Sequence, residues 1–138
     1  LHIDTEVRRV IFIIETKHEK DTNALDNVRT LLGNRTRDFV TAVDEKNIIV
    51  VKELEPNDGH AELEKIAENM YTLLKEDGEE DILIAYGTVV GDIKEVSKSY
   101  KEAKLALDVG KIFFSERSVI AYVRFLRENR RMILMRRH

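Results

Sequence analysis

Five consecutive apolar residues near the start of the chain, Val10–Ile14 (VIFII), constrain the fold more than any other feature. The run is short, continuous and mostly β-branched. A strand with one solvated face alternates apolar and polar residues, whereas a continuous run is typical of a strand that is buried on both faces. The sequence therefore predicts a central strand over these residues.

Two further apolar segments, Phe39–Val43 and Ile48–Leu54, are separated only by Asp44–Asn47. A connection this short cannot contain a crossover helix, so the two segments should form an antiparallel hairpin. The only proline of the chain, Pro56, begins a turn sequence that ends at Gly59. This turn should end the hairpin.

The remaining elements follow from periodicity and capping residues. They are a helix capped at Asp21, Thr22 or Asn23 and ended by Gly33, a helix over 61–75, a strand over 81–86, a helix over 93–110, a strand over 118–123 and a terminal helix. The order is β-α-β-β-α-β followed by α-β-α. It predicts an α+β fold of the ferredoxin-like or nucleotide-cyclase palm type, with one antiparallel sheet and the first two helices on one face. Right-handed crossovers should place the first and third strands side by side in the centre.

No linker interrupts residues 1–138, which we interpret as a single domain.

Composition excludes several classes of function. The chain has no cysteine, which rules out disulfides and thiol catalysis. Its net charge of −3 combines a basic segment over 117–138, at +6, with an acidic remainder at −9. An acidic body does not suit direct nucleic-acid binding. No signal peptide or membrane-spanning run is present, so we expect a cytoplasmic protein without membrane contact.

The C-terminal segment has the pattern of an amphipathic helix with a basic side. Its apolar residues and two of its arginines form a candidate interaction surface: Tyr122, Phe125, Leu126, Met132, Ile133, Arg130 and Arg131. This surface could pack on the domain's own sheet or contact another chain. Because residues 132–135 are all apolar, we expect a weak homodimer that involves this helix.

Two adjacent segments resemble a known family. Ala85–Ile93 followed by Ser97–Leu107, with a Ser-Tyr-x-Glu-Ala core at 99–103, resembles the GGDEF-like domain of sugar-diacid-type (CdaR/PucR-like) bacterial transcription regulators. The resemblance, together with the element order, covers about residues 7 to 128. It implies a domain with the nucleotide-cyclase palm fold that has lost its catalytic activity. It also implies that the chain is a fragment of a longer protein. In that family the domain lies between a sensing region and a helix-turn-helix, so DNA would be contacted only through a domain absent from this chain.

The residues at the expected palm site are consistent with a loss of catalytic activity. Phosphoryl transfer in a palm needs carboxylates on metal ions, and glycines that allow phosphate to approach the backbone. Carboxylates are available at Glu15, after the first strand, and at Asp44 and Glu45 in the hairpin tip, which we regard as vestigial palm-site positions. However, the tip is Val-Asp-Glu-Lys-Asn where cyclases carry Gly-Gly-Asp/Glu-Glu-Phe, and no glycine occurs between Gly33 and Gly59. We therefore expect no catalytic residue, no metal and no cofactor.

Other residues give weaker signals. The histidines at 2, 18, 60 and 138 have no metal-ligand spacing. Gly87 and Gly91 flank a turn that lacks the Gly-Lys-Ser/Thr of a P-loop, so we interpret both glycines as structural. Tyr100 is interpreted as a core aromatic.

The most consistent function is a non-catalytic regulatory or oligomerisation domain of a sugar-diacid-type transcription regulator. Two alternatives stay open at this point. One is a divergent nucleotide-binding or diguanylate-cyclase-like enzyme domain, and the other is a ferredoxin-like module that senses a small metabolite.

Overall fold

A computed structural model describes residues 7–16, 23–32, 38–44, 46–76, 78, 82–113, 119–121 and 133–135. The elements in these ranges are β1 (Arg8–Glu15), α1 (Asn23–Leu31), β2 (Phe39–Ala42), β3 (Asn47–Leu54), α2 (His60–Glu76), β4 (Leu83–Tyr86), a 3-10 turn (Ile93–Glu95), α3 (Val96–Phe113), β5 (Val119–Ala121) and β6 (Ile133–Met135). No described helix has the length and apolar character needed to cross a membrane.

The strands form one sheet in the order β2-β3-β1-β4-β5-β6. The first four strands in the chain pair with one another in antiparallel orientation, and β1 and β3 lie side by side, as predicted. The strand order 2-3-1-4 for these four strands is that of the ferredoxin-like fold. The α+β palm-like prediction is therefore confirmed.

The apolar run in β1 separates two hydrophobic layers. Val10, Phe12 and Ile14 pack with residues of α1 and α2 on one face of the sheet, and Ile11 and Ile13 pack with α3 on the other. All five side chains are at most 2% exposed. The prediction of a strand buried on both faces is confirmed, because helices cover β1 from both sides.

The turn after β3 is held by a cation from β1. The Arg8 guanidinium donates to the carbonyl oxygens of Glu55, Pro56 and Asp58 at 2.9, 3.2 and 2.8 Å. The Asp58 carboxylate accepts from the Glu55 amide at 2.9 Å. These bonds occupy backbone groups at the end of β3 and direct the chain into α2.

The C-terminal part differs from the sequence prediction at two points. β5 is parallel to β4, as a strand reached through the crossover helix α3 should be, so the complete sheet is mixed. Ile133, which the pattern assigns to a terminal helix, lies in β6 and pairs with Ala121 of β5. The helical prediction is wrong at this residue, because the run Ile133–Met135 pairs with an edge that β5 would otherwise leave open. The other residues of the predicted interaction surface (Tyr122, Phe125, Leu126, Arg130, Arg131 and Met132) lie outside the described residues.

Candidate functional site

The structure brings the end of β1 to the tip of the β2–β3 hairpin, where the sequence predicts the vestigial palm site. Glu15 is in register with Asn47, and the Thr16 amide donates to the Lys46 carbonyl at 2.9 Å. Glu15 and Asp44 therefore lie on neighbouring segments of the chain. Glu45 lies outside the described residues.

The Glu15 carboxylate forms an ion pair with the end of α3. Glu15 follows Ile11 and Ile13 on the α3 face of β1, and its Oε1 lies 3.1 Å from the Nζ of Lys111. About two turns earlier on α3, Lys104 donates to both carboxylate oxygens of Asp108 at 3.1 Å, and this hydrogen bond raises the pKa of Lys104. The charges beside Glu15 are thus paired within the protein.

The Asp44 carboxylate is used by its own turn. Its Oδ1 accepts from the amides of Lys46 and Asn47 at 2.8 and 2.9 Å, and the Asn47 side-chain amide donates to both carboxylate oxygens. The Lys46 amide and the Asn47 side chain hold the pKa of Asp44 below its ordinary value, because they donate to the charged form. This carboxylate shapes a hairpin that has no glycine at its tip.

We expect Asp44→Ala to lower the free energy of unfolding by about 1 kcal/mol or less, because the lost hydrogen bonds are solvent-exposed. The folded-state pKa lies below the unfolded value, so this contribution is complete above the unfolded pKa and is lost as the pH falls through the folded pKa. Urea unfolding of both proteins at pH 7 and near pH 3 measures it. A difference that is larger at the lower pH would contradict the assignment.

Within the described ranges, no three histidine, aspartate or glutamate side chains come together in a group that could hold a metal ion. His60 is the one histidine that lies in these ranges, and its Nε2 is 3.0 Å from the Glu64 carboxylate one turn later on α2. The carboxylates of Glu15 and Asp44 and the imidazole of His60, which are the possible metal ligands discussed above, thus each contact another group of the protein.

The second candidate region is the junction between β4, the following loop and α3. β1 and β4 pair from Phe12 opposite Tyr86, and further along, Arg9 forms an isolated bridge with Val90. Three steps along β1 therefore correspond to four steps along the other segment, which is the one-residue excess of a β-bulge. The bulge separates backbone groups that would otherwise have paired.

Ser99 joins the groups that the bulge separates. Its side-chain oxygen accepts from the Ile11 amide at 3.1 Å and donates to the Thr88 carbonyl at 2.8 Å. The residue is 0% exposed. Because its proton is held by the Thr88 carbonyl and it has no access to solvent, Ser99 has the geometry of a structural bridge rather than of a nucleophile.

Two further residues hold the loop to α3. The Glu102 carboxylate accepts from both the amide and the hydroxyl of Thr88. Gly87 lies so close to α3 that a Cβ atom would be 2.2 Å from the Ser99 carbonyl oxygen. Its φ angle is not in the left-handed region, so its backbone conformation does not require a glycine. The glycine is required because there is no room for a Cβ atom. The structural interpretation of Gly87 is confirmed, and Tyr100 is half-buried in the α3-side layer.

The sequence contains a pattern from which this junction could have been predicted. Ser99 and Glu102 are three residues apart, which places both on one side of α3. They follow a glycine that ends a strand at Gly87. A polar pair at this spacing beside a strand-ending glycine indicates a helix that closes against a loop.

Comparison with known protein families gives a match over most of the chain. A family model described as the GGDEF-like domain matches residues 1–109. The match includes the β1 end, the hairpin tip and the Ser99 junction. No curated protein and no solved structure gives a significant match.

Proposed function

The chain belongs to the GGDEF-like domain family, and from this premise we propose that it is a non-catalytic regulatory domain of a bacterial transcription regulator of the sugar-diacid type. In this role it would relay or stabilise an oligomeric state in the cytoplasm. DNA would be bound by a helix-turn-helix domain encoded beyond this chain.

The observation that carries the proposal is the engagement of the carboxylates at the palm site. Glu15 is paired with Lys111 at 3.1 Å, and the Asp44 carboxylate is bonded within its own turn. A metal ion would have to compete with an ammonium group for Glu15 and with two backbone amides for Asp44. The Cβ atoms of the glycine-free tip would also keep a phosphate away from the backbone.

A second observation supports a relay. Two side chains of α3 bond to β1 at separate points. The Ser99 hydroxyl accepts from the Ile11 amide, and Lys111 forms an ion pair with Glu15. Both bonds connect the same helix with the same central strand. A displacement of β1 would therefore be transmitted to α3, and through the crossover to β5 and β6.

We expect no cyclic product when the purified chain is incubated with GTP or ATP and Mg²⁺ or Mn²⁺. The absence of glycine in the tip and the two engaged carboxylates are the physical reasons. Product formation is measured by chromatography, with an active diguanylate cyclase assayed in parallel as a positive control. Lys111→Ala, which frees Glu15, should also remain inactive.

Turnover that disappears in Glu15→Ala or Asp44→Ala would contradict the proposal and favour an enzyme. The regulator context has a separate test in the reading frame of the complete gene. A helix-turn-helix after residue 138 would support the proposal. A phosphodiesterase or receiver domain in that place would contradict it.

A further inference from the structure

The first two residues of β1 bind the segments that lead into α2 and α3. The Arg8 guanidinium contacts the turn before α2, which is formed by residues 55–59. The amide and carbonyl of Arg9 exchange hydrogen bonds of 2.8 Å with Val90, in the loop before α3. Because α2 and α3 pack on opposite faces of the sheet, the start of β1 contacts the entry of a helix on each face.

The two attachments differ in kind. Arg9 is held through its backbone, so a rotation of its side chain does not break the bonds to Val90. Arg8 is held through a single side-chain nitrogen, its Nη2, which donates to three carbonyl oxygens of the turn at 2.9, 3.2 and 2.8 Å. Because the three acceptors converge on one atom of a long side chain, a displacement of that atom by about 1 Å weakens all three bonds together.

The Arg8 contact can open without unfolding of the sheet. Arg8 is half-buried, and its bonds to Glu55 and Pro56 are exposed, so water can replace either partner. An exposed hydrogen bond contributes about 1 kcal/mol or less, whereas a domain is stable by roughly 5–15 kcal/mol. Local opening of the contact is therefore much easier than global unfolding.

The segment that depends on this contact is short. The Asp58 amide donates to the Glu55 carbonyl at 3.0 Å, and the Glu55 amide donates to the Asp58 carboxylate at 2.9 Å. The Glu62 amide, in the first turn of α2, donates back to the preceding turn at 3.0 Å. Leu63, which is 3% exposed, is the first residue of α2 that is buried in the core. The dependent segment is thus 55–62.

We propose that Arg8 is a releasable clamp between the start of β1 and the entry of α2. When its guanidinium is bonded, the turn and the first turn of α2 are fixed. When it is withdrawn, both loosen, whereas the β1–β3 ladder and the entry of α3 keep their bonds. The clamp rests on the proposed function only for its use in a relay. It does not depend on the lack of catalysis, so the nucleotide assay and the experiment below can fail separately.

Amide hydrogen exchange of the intact chain, measured residue by residue by NMR, tests the proposal. Arg8→Met removes the guanidinium and keeps a long side chain. We expect the amides of Glu55, Asp58 and Glu62 to exchange about tenfold faster in this variant. The amides of the β1–β3 ladder and the Val90 amide should keep their rates, because none of them bonds to the guanidinium.

Arg9→Met is the matched control. It makes the same substitution at the next residue, whose side chain forms no hydrogen bond or ion pair with a described residue. It should leave the amides of Glu55, Asp58 and Glu62 at their wild-type rates. Arg8→Gln, a polar variant, provides the same comparison if Arg8→Met does not fold.

Three results would overturn the proposal. The first is unchanged exchange at Glu62 when the Arg8 guanidinium is absent. The second is an equal acceleration throughout the β1–β3 ladder, which would show a general loss of stability rather than the release of a clamp. The third is the same acceleration in Arg9→Met, which would assign the effect to the loss of a positive charge.

Discussion

Replacement of Gly87 by alanine is expected to lower the free energy of unfolding by about 3 kcal/mol. The added Cβ would lie 2.2 Å from the Ser99 carbonyl oxygen and 2.8 Å from its side-chain oxygen. The first of these atoms belongs to the backbone of α3, so it cannot move aside by a side-chain rotation. Either α3 or the β4 end must shift, and the shift would lengthen the bonds that Ser99 makes.

Gly91 provides a matched control in the same loop. No atom lies within 4 Å of the position of its Cβ, and its φ angle is not positive. Gly91→Ala should therefore change the free energy of unfolding by less than about 0.5 kcal/mol. Urea unfolding followed by circular dichroism measures both variants. Equal losses at the two glycines would show that close approach to α3 is not what requires Gly87.

Replacement of Ser99 by alanine is expected to lower the free energy of unfolding by about 2–3 kcal/mol. The loss leaves a donor, the Ile11 amide, and an acceptor, the Thr88 carbonyl, without their partner in a site where Ser99 is 0% exposed. Removal of a single buried partner has a larger cost than the net value of one hydrogen bond, because water cannot replace it.

Ser97 is the control for this prediction, since it lies in the first turn of the same helix and is exposed. Ser97→Ala should be close to neutral. Hydrogen exchange provides a second readout, because the Ile11 amide should lose protection in Ser99→Ala while amides in the β2–β3 ladder keep theirs. A stable Ser99→Ala protein with a protected Ile11 amide would contradict the bridging role.

These two predictions bear on the interpretation of the Ser-Tyr-x-Glu-Ala motif, which carries the sequence resemblance to the family. The Ser-Tyr-x-Glu-Ala core could have marked a ligand site, but its serine and glutamate both bond to the β4–α3 loop. Its alanine, Ala103, is fully buried against β1 and β4. In this chain the motif holds α3 to the sheet. Contacts within the domain therefore account for its serine, glutamate and alanine.

Most of the fold follows from local sequence patterns. The VIFII run predicts a central buried strand, the four-residue separation predicts the hairpin, and the stripe of apolar residues predicts α2. The structure confirms each of them. Prediction was wrong at Ile133, because a short apolar run fits a helix or a strand equally well, and the presence of the β5 edge decides between them.

Sequence patterns alone predict the order of the elements from β1 to β5, most of the residues that are buried in them and the place at which β1 meets the hairpin tip. These properties depend on hydrophobic periodicity and turn residues, which act over a few positions of the chain. The partners of the polar groups, by contrast, become evident only in the folded structure. Lys111 reaches Glu15 across 96 positions, and Ser99 reaches Ile11 across 88. No local pattern specifies such pairs, since they exist only after the crossover has placed α3 on the sheet. At Ser99, which is fully buried, the polar group also needs partners from the protein because water cannot supply them.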